Sequence, residues 1–92
     1  SALETDGFQP VDPAPLPDAS VGRQRMRELL QEAVDRLAPE YRKVYELRDL
    51  QGYSGAEVAQ MLGISPAAQK SRLHRARTQV RRFLDRALAE AA

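Results

Sequence analysis

The sequence predicts an all-α fold of four helices, without a wing, preceded by an extended proline-rich segment. Three observations carry that expectation. Apolar residues recur at helical spacing, no segment alternates with period two, and Ser, Gly and Pro fall where helices start and stop.

Residues 1–19 hold four of the six prolines, at positions 10, 13, 15 and 17. Each fixes φ, removes a backbone donor and pushes its predecessor out of the helical region, so this stretch is expected to be an extended or disordered acidic linker. The domain proper is expected over residues 20–92. A first helix is expected from about Ser20 to Leu37, because Met26, Leu29, Leu30, Ala33, Val34 and Leu37 form one apolar stripe. Pro39 suits the first turn of a second helix over residues 39–51, with Tyr41, Val44, Tyr45 and Leu47 as its buried candidates. Gly52 is placed to stop it in the left-handed conformation. Ser54 and Glu57 form a capping box that opens a short third helix through Leu62, and Gly63 closes it. Ser65 as N-cap and Pro66 at the first helical position then open a long fourth helix to about Leu88.

The chain has 92 residues, 42% of them hydrophobic, which suffices for one domain with one modest core. Its apolar runs are too short for a membrane span or a signal peptide. There is no cysteine, so neither disulfides nor a thiolate metal site can hold the fold, which fits the cytoplasm. The chain opens on Ser1 rather than Met, as expected of a piece of a longer protein.

A formal net charge of +1 conceals a strong asymmetry. Residues 1–18 carry Glu4, Asp6, Asp12 and Asp18 and no Lys or Arg. Between residues 70 and 86, Lys70, Arg72, Arg75, Arg77, Arg81, Arg82 and Arg86 are opposed only by Asp85. A cationic face on one element suits a polyanionic partner, although a solvated surface helix would look the same by charge alone.

Residues 54–77, SGAEVAQMLGISPAAQKSRLHRAR, favour the first reading, although a glycine-broken helical pair also occurs in ordinary bundles. A short capped helix, a turn containing Gly63 and a longer helix spell a helix-turn-helix. Ala59 is small where the helices cross, Ile64 can plug the angle between them, and Val58, Leu62 and Leu73 complete a small core. Along the fourth helix, Leu73, Ala76, Val80, Phe83, Leu84 and Ala87 share one side. The opposite side holds Ala67, Ser71, His74, Arg75 and Thr78, with Lys70 at its margin. That side is small, polar and basic where a recognition helix meets base edges. Arg pairs bidentately with guanine, and Ser or His can contact bases or phosphate. Arg72, Arg77 and Arg81 flank this face and suit phosphates, which position rather than specify.

Plainer roles exist for several of these residues. Arg72 can pair with Glu57 as an ordinary surface ion pair. Arg81, Arg82 and Arg86 lie turns away from the entry point and suit solvent. Tyr41 and Tyr45 suit the core better than base stacking. His74 is the sole histidine, so a metal site would lack imidazole partners, and the scattered carboxylates form no catalytic pair. The expectation is a non-enzymatic protein with no cofactor and no metal.

The run from Leu37 to Arg77 resembles region 4 of the sigma-70 family, most of all its extracytoplasmic-function (ECF) group. The resemblance covers about residues 21–88 and rests on L-x-P-E-Y-R, L-R-D, G-Y-S-x-x-E-V-A, L-G-I-S and K-S-R-L-H-R-A-R. The acidic stretch before it is similar to the linker joining the two globular domains of such factors, so a second helical domain is expected before Ser1. The resemblance implies recognition of the −35 promoter element, with the helix from Pro66 in the major groove. It further implies contact with the β flap of RNA polymerase and masking by an anti-sigma factor. A monomer with few phosphate contacts gains little counterion release and is expected to bind DNA weakly alone. Lys70, Ser71, His74 and Arg75 match the family's DNA contacts; Arg77 and the helix start at Tyr53 and Ser54 match phosphate contacts.

Gln69 departs from the pattern, standing on the inner face where the family usually has an aliphatic residue. A buried amide without partners costs about 1–3 kcal/mol. Two other functions share the same residues. A stand-alone or receiver-fused regulator would dimerise on two half-sites, and a protein-interaction module would use the basic face on an acidic partner.

Overall fold

The computed structural model describes residues 17–91, and among them all regular structure is helical. The helices are α1 (Pro17–Asp35), α2 (Pro39–Tyr45), which runs on into a π turn (Glu46–Leu50), α3 (Gly55–Leu62) and α4 (Pro66–Ala91). The linker expected over residues 1–19 lies outside the described residues as far as residue 16. From Pro17 the chain is already helical, earlier than expected, because proline is tolerated in a first turn whose N–H groups have no helical acceptor.

α1 tightens before it ends: Arg36 N–H and Leu37 N–H bond back to the Ala33 and Val34 carbonyls at 3.2 and 3.0 Å. Ala38 is then extended, at φ −60° and ψ 150°, as a residue before proline must be. The second helix does not stay regular to residue 51. It widens at Glu46, and Gln51 N–H reaches the Glu46 carbonyl at 2.9 Å. Gly52, at φ 84°, turns the chain, and Tyr53 N–H closes the end on the Leu47 carbonyl at 2.9 Å.

α4 packs on each of the other three helices and is the spine of the domain. Its 26 residues make a rod about 39 Å long. Leu73, Ala76 and Val80 face inward against Ala33, Val34 and Leu37 of the first helix and its last turn, Val44, Tyr45 and Leu47 of the second, and Val58 of α3. Val34, Val44 and Val58 are wholly buried, each worth about 1.5–3 kcal/mol of transfer free energy. Tyr41, Leu62, Ile64, Phe83 and Leu84 line the margin of this core. Ala59 of α3 is buried as well. The Arg36 guanidinium lies 4.7 Å from the Phe83 ring centroid and joins the end of α1 to α4.

Met26 does not join the core as its place in the stripe predicts; it is 40% exposed. Residues 22–28 of α1 are all exposed, so these turns project past the layer that covers the rest of its apolar face. No described helix is long and apolar enough to cross a membrane.

Candidate nucleic-acid interface

α3 begins at a complete capping box. Ser54 is extended, its hydroxyl accepts from Glu57 N–H at 3.1 Å, and the Glu57 carboxylate accepts from Ser54 N–H at 2.8 Å. The bond from the Ser54 backbone, seconded by its hydroxyl, holds the Glu57 carboxyl below the usual carboxylate range. That carboxylate is therefore committed to the cap, and among the described residues it forms no ion pair with Arg72. At the other end Gly63 takes φ 67° and ψ 36°, and Ile64 N–H bonds to the Ala59 carbonyl at 3.0 Å.

Two residues later α4 starts under a second cap, with Ala68 N–H donating to the Ser65 hydroxyl at 3.0 Å. The turn between the helices is thus set by one left-handed glycine and the Ser65 cap. Because Leu73, Ala76 and Val80 point into the core, helical geometry turns Lys70, Ser71, His74 and Arg75 outward, and all four are exposed. Thr78 lies on the same side, but its hydroxyl donates to the His74 carbonyl at 2.9 Å. Tyr53 and Ser54 are exposed at the mouth of α3. Tyr45 is buried and Tyr41 half-buried, both as core residues. Burial, reinforced by the Asp49 carboxylate, pushes the Tyr45 phenol above its usual range.

The candidate residues do not all stand in the same condition. Arg77 is half-exposed, yet its Nε and Nη2 donate to the Asp49 carboxylate at 2.8 and 2.6 Å. Gln69, buried as the helical wheel requires, accepts from Arg48 Nε at 3.0 Å, with a long 3.5 Å contact from its amide nitrogen to the Pro66 carbonyl. Arg48 also donates to the Tyr53 carbonyl at 3.2 Å. Arg48 and Asp49 are thus residues of the site that sequence reasoning missed. Neighbours in the π turn, they grip α4 at two points about 12 Å apart along its axis. Arg48, Lys70, His74 and Arg77 line a shallow cationic groove beside α4, with Gln69 and Leu73 in its floor.

The chain is similar in sequence to known proteins. Residues 27–80 match the family described as Sigma-70, region 4. Over 78 residues the chain is 36% identical to the ECF RNA polymerase sigma factor SigE of Mycolicibacterium smegmatis, an alignment covering 85% of this chain and 30% of that protein. It is 40% identical over 74 residues to the RNA polymerase sigma-E factor of Streptomyces avermitilis, covering 76% and 41% respectively. It is 44% identical over 55 residues to the ECF RNA polymerase sigma factor SigM of Mycobacterium tuberculosis, covering 60% and 28%. The chain therefore spans roughly a third of the length of these relatives. The matched span runs from the apolar stripe of α1, through the capped α3, to Val80 in the spine helix, and the chain belongs to the sigma-70 region 4 family of non-enzymatic helix-turn-helix domains.

Proposed function

We propose that this chain is the promoter-reading C-terminal domain of an ECF-type sigma factor, recognising the −35 element with the first turns of α4 in the major groove. Lys70, Ser71, His74 and Arg75 face base edges, while Tyr53, Ser54 and Arg77 meet phosphates on either side. The observation that carries this reading is the division of α4: one face is the core of the domain, and the other presents these four side chains to solvent. A rod so divided can enter a groove without rearrangement. The N-terminus of α3 adds backbone N–H groups suited to a phosphate.

The relatives are named as RNA polymerase sigma factors, and that supports polymerase, through its β flap, as the protein partner. An anti-sigma factor is the natural competitor for the same domain. The domain acts as a monomer, and the acidic stretch before Pro17 links it to an upstream helical domain. Alone it binds DNA weakly, because few phosphate contacts release few counterions.

The test is selection from a pool of randomised duplexes at low salt. The wild-type chain should enrich one motif, and Arg75→Ala or Lys70→Ala should weaken binding to the enriched duplex by about 1–3 kcal/mol per lost base contact. Wild-type affinity in both variants would contradict the assignment of readers.

A further inference from the structure

We propose that Arg48 is a positioning residue that sets how the reading helix is seated, by bonding at once to the entry of α3 and to the buried amide of Gln69 in α4. The inference rests on the promoter-reading function above and assigns that function a residue outside the contact face.

One guanidinium joins three segments. It projects from the π turn, donates through Nε to Gln69 Oε1 at 3.0 Å, and donates to the Tyr53 carbonyl, just before the α3 cap, at 3.2 Å. Gln69 also lies close to the start of α3. A Cβ added at Gly55, the first residue of α3, would stand 2.9 Å from Gln69 Nε2 and 3.3 Å from its amide carbon. The amide is therefore bonded to Arg48 and close to the start of α3, and Gln69 is only 6% exposed.

The position of this bond gives it consequence. Gln69 immediately precedes Lys70, and Lys70 and His74 share the groove with Arg48. Apolar packing is non-directional and tolerates a small roll of a helix on its bed; a planar guanidinium with two fixed acceptors does not. A roll of about 10° moves a side-chain tip at the perimeter of an α-helix by about 1 Å. That is enough to spoil a bidentate contact to a base edge, whereas a flexible contact to phosphate survives it. Arg48 should therefore govern discrimination between sequences and leave sequence-independent affinity alone.

The experiment compares the whole 92-residue chain with Arg48→Met, Arg48→Lys and the pair Arg48→Met/Gln69→Val. The probes are the duplex that wild type enriches from a randomised pool and a shuffled duplex of equal composition. Arg48→Met leaves the Gln69 oxygen buried without its donor and should melt earlier. The paired variant replaces the polar bond by apolar contact and should recover most of the melting temperature. Its preference for the enriched duplex should still fall about tenfold or more, the weight of one good base contact. Affinity for the shuffled duplex and the salt slope should stay at wild-type values. Arg48→Lys, which keeps the charge but not the fork, should lose preference in the same direction and guards against misfolding of the pair. Wild-type preference in a folded Arg48→Lys or paired variant would overturn the inference, reducing Arg48 to a partner for Gln69. Equal loss on both duplexes would also overturn it, because Arg48 would then be a phosphate contact. A wild-type chain that enriches no motif would instead bring down the promoter-reading function itself.

Discussion

Asp49 and Arg77, 28 positions apart in sequence, form a bidentate ion pair with nitrogen–oxygen distances of 2.6 and 2.8 Å. Asp49 offers the Arg77 fork two oxygens, as a DNA phosphate would. Arg77 lies on the same flank of α4 as Lys70, so the pair places an internal competitor beside the proposed phosphate contact. Arg77 is half-exposed, and the pair contributes at most about 1 kcal/mol to stability.

Asp49→Asn should therefore act on binding more than on folding. Releasing Arg77 should tighten binding to enriched and shuffled duplexes alike and steepen the dependence of log affinity on log salt by up to about 0.9. Arg77→Ala should do the reverse, and in that background Asp49→Asn should gain little. Binding isotherms at several salt concentrations check this; a gain confined to the enriched duplex would mean that Arg77 reads sequence.

The α3 cap is a separate element and should report as stability. Ser54→Ala removes the hydroxyl that accepts Glu57 N–H and should cost about 1 kcal/mol in urea unfolding. An unchanged midpoint would mean that the cap contributes nothing to the folded state.

Glu57 makes the same cap dependent on pH. Its carboxyl is held below the ordinary range in the folded chain, so its charge stabilises the fold above the unfolded-state value near 4.5. That contribution is lost as pH falls through the lower folded-state value. Glu57→Gln keeps a capping group without the charge. Wild type should therefore melt higher than this variant at neutral pH, with the gap closing progressively below about pH 4. A gap independent of pH would show that the charge is not what the cap uses.

Gly55 and Gln69 should couple with a change of sign. Alanine normally favours a helix over glycine by about 1 kcal/mol. Here the added Cβ would press on the Gln69 amide at 2.9 Å, so Gly55→Ala should fail to stabilise the wild-type chain and should destabilise it if the amide cannot yield. With Gln69→Ala the space opens, and the same change should become stabilising. A double-mutant cycle by thermal melting measures this; additivity would show that the two residues do not meet.

These relationships divide into those legible in the sequence and those that were not. The start of α3 at Ser54, its stop at Gly63 and the start of α4 after Ser65 depend on chemistry within a few positions, and each is visible from residue type and spacing. The outward side of α4 follows from the same periodicity that buries Leu73, Ala76 and Val80. The inward Gln69 announced that a partner was needed, but not which one: Arg48 lies 21 positions away and leaves no local trace. Asp49 was equally hidden. Its partner Arg77 lies 28 positions away, and Asp49 sits in a π turn whose residues fit an ordinary helix equally well. Met26 was misplaced because periodicity shows which side of a helix is apolar, not how far the neighbouring helices extend along it.

The proposed surface that meets DNA is the exposed face of the first turns of α4. Backbone amide shifts of the isotopically labelled chain, followed as the enriched duplex is titrated in, test it most directly. The largest changes should fall at Lys70, Ser71, His74 and Arg75, with a second cluster at Tyr53 and Ser54, and little change at the interface of α1 with the far half of α4. Changes concentrated along α1 and residues 83–90, with the first turns of α4 undisturbed, would contradict this assignment.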